Sequence, residues 1–353
     1  MPLPDALRDL LTATGPSGYE TAPSAAFRKH AEALGAEVTV DAMGNTFARL
    51  KGTKEDAPTL AVVGHADEIG LVVTHIDDDG FLWFTGVGGW DPQILVGQRV
   101  AVTTRDGVVP GVLGRKPIHL LDEDERKRVP KLKDLHIDIG AKDGDEAKGR
   151  VRIGDTAVVA AEPLELPNDR VVSRAMDNRL GCFVALEVAR LVHERGGSPG
   201  DVLAVAAVQE EIGCFGAGAA AYGQEPDVAI VVDVTHETGA PGIDVKQEGK
   251  HGFGSGPVLE RGSILNPHVF ERLHDAAEAE GVTFTVAASG GRTWTDADAI
   301  HLVRQGIPTG LVGLPLRYMH SPVEMVDLGD VAGAAKAIAA LAMTLEPGTS
   351  FAR

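Results

Sequence analysis

Leu60-Ala61-Val62-Val63-Gly64-His65-Ala66-Asp67-Glu68 is the stretch that decides the fold. Five uncharged residues run without a break into a histidine and two acids. A short, uninterrupted apolar run fits a strand covered on both faces. In open α/β sheets, ligands gather beyond the carboxyl ends of such strands. The same arrangement recurs along the chain. Val202 to Val208 leads into Gln209-Glu210-Glu211, and Val228 to Val232 leads into Asp233. Thr309 to Gly313 is followed, after a short loop, by His320. Charged residues seldom sit at buried strand ends without a partner, so this distribution points to a site.

Outward from these strands the pattern alternates. Leu7, Leu10 and Leu11 recur at helical spacing before the break at Gly15-Pro16-Ser17-Gly18. Phe27, His30, Ala31 and Leu34 mark a second helix. Short strands follow at 37–40 and 46–50. Helices are expected over 177–194, 216–222, 267–280, 295–305 and 328–345, with a further strand at 282–286. Asn266-Pro267 opens one of these helices, because Asn supplies an acceptor and Pro needs no N–H there. The alternation predicts an α/β fold with a mixed, largely parallel sheet flanked by helices. From Ile69 to Pro163 the character changes to short alternating runs such as Leu71-Val72-Val73-Thr74 and Arg99-Val100-Ala101-Val102, with turn signals at Asp79-Gly80 and Asp106-Gly107. This segment reads as a small, barrel-like β domain over 69–163, inserted into a discontinuous domain made of 1–68 and 164–353.

Composition narrows the partners. A chain of 353 residues exceeds one small core, and 44% hydrophobic content suffices for a globular fold. The net charge of −18 disfavours nucleic acid and anionic membrane surfaces. The densest basic stretch, Lys116 to Lys133, is diluted by Asp122, Glu123, Asp124 and Glu125 and reads as a solvated mixed-charge loop. Two cysteines, Cys182 and Cys214, make no disulfide framework. The start lacks a signal-peptide pattern and no segment reads as membrane-spanning, so the expected location is cytoplasmic.

The candidate ligands have ordinary readings too. His65 alone fits a satisfied core histidine, although Asp67, two residues on and on the same face of an extended segment, could hold its far nitrogen. Glu210 and Glu211 could be a solvated turn; as neighbours their side chains diverge, so one could bind metal while the other takes a proton. Asp177 could cap a helix or, with two oxygens, bridge two metals. Asp233 and His320 are equally ambiguous singly, and Cys214 reads as a small packed residue. As a set, two histidines and three or four carboxylates converging from strand ends suit a hydrolytic pair of metals roughly 3.5–4 Å apart. Mixed N/O ligation fits Zn2+, and also Co2+ or Mn2+.

Gly64-His65-Ala66-Asp67-Glu68-Ile69-Gly70, Met176-Asp177-Asn178-Arg179, Gln209-Glu210-Glu211-Ile212-Gly213, Val232-Asp233 and Arg317-Tyr318-Met319-His320-Ser321-Pro322 occur in that order. Together they resemble the TET and glutamyl aminopeptidase family of dinuclear metallopeptidases. The likeness extends to Gly15-Pro16-Ser17-Gly18-Tyr19-Glu20 and to Gly111 to His119. The resemblance implies a zinc-peptidase-like core. His65 and Asp233 would bind one metal, Glu211 and His320 the other, and Asp177 would bridge them. Glu210 would be the general base and Asp67 would orient His65. The inserted domain would serve dimerisation and assembly into a tetrahedral homo-dodecamer. Where the family often has Gly-Gly-Thr-Asp-Ala, this chain has Gly290-Gly291-Arg292-Thr293-Trp294-Thr295-Asp296-Ala297, a departure that bears on the substrate pocket. The expected activity is removal of N-terminal residues from peptides with a free amine, with a lean toward neutral first residues such as Leu or Met. The rivals are a carboxypeptidase or N-acyl amino acid deacylase on a similar core, and a catalytically idle peptide-binding assembly protein. A glycosidase pair is disfavoured, because adjacent glutamates do not readily flank a glycosidic bond.

Overall fold

A computed structural model describes all 353 residues, Met1 to Arg353. The first strands are β1 (Glu37–Val40), β2 (Thr46–Leu50) and β3 (Leu60–His65). Six follow in the inserted segment: β4 (Gly70–Ile76), β5 (Leu82–Val87), β6 (Arg99–Thr104), β7 (Gly107–Gly114), β8 (His136–Asp138) and β9 (Thr156–Val159). After β10 (Leu164–Leu166) and β11 (Arg170–Ser173) come β12 (Val202–Ala207), β13 (Val228–His236), β14 (Val258–Gly262), β15 (Thr285–Ser289), β16 (Thr309–Leu316) and β17 (Glu324–Asp327).

The main sheet has eight strands in the order β1-β2-β12-β3-β13-β16-β14-β15. β3 lies parallel to both β12 and β13, and β13 lies parallel to β16. The flanks are mixed: β2 and β12 are antiparallel, as are β14 and β16. In sequence β12 and β13 both follow β3, yet they take opposite sides of it. That reversal opens a crevice at the carboxyl ends of the parallel strands.

Alternation along each strand assigns the two faces. Ala61, Val63, Leu203, Val205, Ala229, Val231 and Leu311 pack beneath helices Phe215–Gln224 and Ala297–Ile300. Val62, Ala204, Ile230 and Val312 face helices Asp5–Thr12, Met176–Glu194, Pro267–Ala279 and Leu328–Ala342. Each fully buried aliphatic side chain contributes about 1.5–3 kcal/mol. One close approach sets the geometry of the site. A Cβ on Gly64 would lie 2.2 Å from the carbonyl carbon of Gly181, so helix Met176–Glu194 rests directly on β3.

The inserted strands close into an antiparallel barrel, β4-β5-β8-β7-β6-β9. Its separate core includes Leu71, Val73, Leu82, Val100, Val102, Leu113 and Ile137. Closure removes the open edges that a six-stranded sheet would expose. No helix is long and apolar enough to cross a membrane.

Several expectations differ from the structure. The helix expected over 295–305 is only Ala297–Ile300; beyond it Arg304 and Gly306 adopt positive φ and turn the chain. The strand expected at 282–286 is Thr285–Ser289, because Gly281 (φ 72°) turns the chain while Val282 and Phe284 pack on the core. β14 has no signal in our reading, nor does the small sheet β10-β11-β17. Asp177 sits at the head of Met176–Glu194, but it and Asn178 have non-helical backbone angles, so it is not an ordinary helix cap. Asp233 lies inside β13 rather than at its end. β13 leaves β3 after Val231 and continues beside β16, which opens a gap at Asp233.

Candidate metal centre

His65 continues the Ala61, Val63 face at the end of β3, and Asp233 continues the Ala229, Val231 face of β13. Both side chains therefore point into the crevice where β3 and β13 part. Glu210 and Glu211 follow β12 in a turn that begins with Gln209 at φ 60°. Asp177 arrives from the opposite face at the head of its helix, and His320 from the loop after β16, at φ 58°. Left-handed non-glycine residues cost about 1–3 kcal/mol, and the surrounding contacts hold these two in place. All six residues line one cavity of ≈ 710 Å³.

Both imidazoles are oriented through Nδ1. His65 Nδ1 meets the Asp67 carbonyl at 3.2 Å and the Asp67 carboxylate at 3.4 Å. His320 Nδ1 meets the carbonyl of Gly89, just after β5, at 2.9 Å. A carbonyl only accepts, so each ring carries its proton on Nδ1 and turns Nε2 inward. The two Nε2 atoms converge on one carboxylate. His65 Nε2 lies 3.1 Å from Asp177 Oδ1, and His320 Nε2 lies 3.3 Å from Asp177 Oδ2. One acid thus divides its oxygens between two histidines. Groups His65–Glu210–Asp233 and His65–Asp177–Glu211 each bring ligand atoms within 4.8 Å of one another and could hold a cation.

The two glutamates have different surroundings. Glu211 Oε1 is buried 3.4 Å from His320 Nε2 and has no hydrogen-bond donor. Glu210 accepts the Cys214 thiol at 3.4 Å on Oε1 and faces His65 with Oε2 at 3.7 Å. Burial, with Asp177 nearby, pushes the Glu211 carboxyl up to about 7 and also raises Glu210 and Asp233. The carboxylates of Asp177 and Glu211 push His320 up to about 11. Burial alone would lift Asp177, but the two imidazoles hold it below the usual carboxylate range. The crevice therefore carries more desolvated negative charge than its imidazoles offset. With inward Nε2 atoms and a buried carboxylate oxygen lacking a donor, this donor set fits divalent cations.

Asp67 ties the parts together. It accepts Ser17 Oγ at 2.6 Å and the backbone N–H groups of Glu210 and Glu211, both at 3.1 Å. Burial opposes its ionisation, but His65, Ser17 and these N–H groups hold it below the ordinary range. Glu20, from the early Gly-Pro-Ser-Gly-Tyr-Glu stretch, accepts the N–H of Gln209 at 3.1 Å.

Residues 44–337 match the model of the M42 glutamyl aminopeptidase family. The chain belongs to the M42 glutamyl aminopeptidase family. It is 34% identical over 319 residues to the lysyl aminopeptidase of Pyrococcus furiosus, which covers 88% of each chain. A TET aminopeptidase from a marine-sediment Thaumarchaeota archaeon has the same fold, with a TM-score of 0.91 at 34% identity over 97% of this chain and 96% of that one. The TET1 peptidase of Pyrococcus horikoshii, which can assemble into a tetrahedron or a large octahedral shell, gives a TM-score of 0.85 at 31% identity over 97% and 99% of the two chains. The resemblance and the fold class read from the sequence are those of this family.

Two neighbours of the candidate ligands in this M42 chain are given no role by the sequence pattern. Glu324 is buried and accepts the N–H groups of Met176 (2.8 Å), Asp177 (3.2 Å) and His320 (2.8 Å), fixing two candidate ligands at once. It sits in a short strand with no apolar run to flag it. Asp296 is 1% exposed and neither carboxylate oxygen has a partner; it lies beside Glu210 and Cys214. Its signal was the Thr295-Asp296-Ala297 remnant of the family pattern. The departing residues, Arg292 to Thr295, form one part of the cavity wall.

Proposed function

We propose that this M42 chain is an aminopeptidase that releases N-terminal residues from peptides with a free amine, using two divalent cations and Glu210 as general base. The observation that carries the reading is the split of Asp177, one oxygen toward His65 and the other toward His320. In this reading His65 and Asp233 would hold one cation, Glu211 and His320 the other, and Asp177 would be shared by both. The mixed N/O donors favour Zn2+, with Co2+ or Mn2+ as substitutes. Bound there, the pair would supply Lewis acidity, polarising a carbonyl and bringing the pKa of a water toward about 7.

The chain's own residues do the rest. Glu210 presents Oε2 to the cavity, takes a proton from the attacking water and returns it to the leaving amine. The Cys214 thiol and the Asp67–backbone contacts hold Glu210 in position. Asp67 fixes the His65 tautomer. Acidic walls favour a substrate ammonium, which restricts cleavage to the chain end. The barrel over 69–163 serves dimerisation and assembly of a closed homo-oligomer. Both cysteines are unpaired and buried, in keeping with a reducing, cytoplasmic setting.

A matched pair of peptides tests the reading against a carboxypeptidase, a deacylase and an idle binding protein. The free-amine peptide should lose its first residue while its N-acetyl form stays intact. Cleavage of the acetylated form, or of neither, overturns the proposal.

A further inference from the structure

The cavity holds one carboxylate that the chemistry above does not use. Glu260, on β14, is half-buried and lines the same cavity as the metal cluster. It makes no hydrogen bond or ion pair with any protein group, and burial alone pushes its carboxyl up to about 7. A carboxylate drawn partly out of water without a protein partner is costly, and at the wall of a binding cavity the missing partner is a ligand cation.

Register places it relative to the cluster. Asp233 on β13 pairs with Gly313 on β16, and Leu311, two residues earlier on the same face, pairs with Glu260 on β14. Glu260 therefore shares the face of Asp233 from two strands across and two residues back, about 12 Å between backbones at ordinary strand spacing and rise. The Glu260 side chain reaches back over Gly313, which has no side chain to displace it. A Cβ there would lie 2.9 Å from Thr235 Cγ2 and 3.4 Å from Glu260 Oε1. A residue whose backbone sits at the cluster and whose stem reaches over Gly313 brings its end to the Glu260 carboxylate.

The basic residues that could have made an acid-binding pocket are engaged or elsewhere. Arg292 lines the cavity, but its Nε donates to Asp298 at 2.9 Å and its guanidinium stacks on Trp294. Arg261 turns away to Glu271 and Phe270. Lys250 is exposed and lies outside the cavity wall. We infer that Glu260 is the recognition group for the first side chain of the substrate, and that it selects lysine or arginine. This replaces the lean toward Leu or Met, and it rests on the aminopeptidase reading.

The test uses the metal-loaded enzyme and a panel of aminoacyl anilides of lysine, arginine, norleucine, leucine and glutamate. Norleucine keeps most of the lysine stem and lacks the ammonium. The expected kcat/KM for lysine exceeds that for norleucine by at least about tenfold, the size of a hydrogen-bonded charge contact. In Glu260→Gln this ratio falls at least about tenfold, and Glu260→Lys moves the preference toward glutamate. A wild-type enzyme that prefers norleucine or leucine overturns the inference. So does a Glu260→Gln variant that slows every substrate equally, since Glu260 then serves the backbone amine or the fold. An enzyme inactive on all anilides counts against the aminopeptidase reading instead. Calorimetric binding of L-lysine and L-norleucine then decides this point, with equal affinities contradicting it.

Discussion

At the scale of single residues, the site is a set of groups whose ordinary roles do not fit their surroundings. Two imidazoles direct Nε2 at one acid, and four desolvated carboxylates share a crevice. With Glu210 as the base, Glu210→Gln should keep its metal content and lose about 10²–10⁴-fold in kcat, the usual contribution of a positioned proton acceptor. Elemental analysis beside steady-state kinetics checks this, and near wild-type kcat removes the assignment. A second expectation concerns protons. Without metal, His320 is raised to about 11 and Glu211 to about 7, so at neutral pH His320 carries a second proton, on Nε2, and Glu211 is protonated in part. A cation must displace these protons. Zinc binding to the metal-free protein should therefore release protons, and its affinity should rise with pH. Calorimetry in buffers of different ionisation enthalpy reads the release, and heats independent of buffer would contradict it. His65, Asp67, Glu210, Glu211 and His320 were legible because apolar runs or adjoining motifs flagged them. Glu324 and Glu260 were not. Their roles depend on which backbone N–H groups or open cavity they face, and that is decided by strands meeting across the chain.

At the scale of elements, continuous apolar runs announced the buried strands β3, β12, β13 and β16 well. The site follows from what those strands do at their ends. β13 parts from β3 after Val231, and helix Met176–Glu194 presses its start against Gly64. Weaker signals failed where packing outweighed pattern. β14 is a five-residue strand whose pairing with β15 and β16 no local sequence announces. The short helix Ala297–Ile300 ends where positive-φ turns intervene. The contact at Gly64 gives a direct prediction. Gly64→Ala inserts a methyl where the backbone of Gly181 already lies, so stability should fall by about 1–3 kcal/mol. Because the displaced helix carries Asp177, metal affinity should fall as well. A lower thermal midpoint with unchanged metal affinity would mean that the helix start does not set the ligand geometry.

For the whole molecule, the barrel and the sheet are coupled through Gly89, whose carbonyl orients His320. The barrel also carries exposed apolar groups, among them Val108, Val112, Ile118 and Leu120 at 60%, 48%, 64% and 68% exposure. In the proposed assembly these exposed groups belong to the interface between subunits. Leu120→Glu should shift a large assembly toward smaller species in analytical ultracentrifugation, whereas an unchanged distribution would place the interface elsewhere. The inserted segment was legible as a β unit from its short alternating runs. Its closure into a barrel was read from the general character of the segment, since β8 is only three residues long and pairs across distant sequence. In the proposed centre, residues scattered from His65 to His320 gather around two cations that share Asp177. Metal content per chain, by elemental analysis of wild type and Asp177→Ala prepared side by side, tests it most directly. The wild type should hold about two metals and the variant almost none. A wild type that retains one metal or none, or a variant that keeps its full complement, would contradict it.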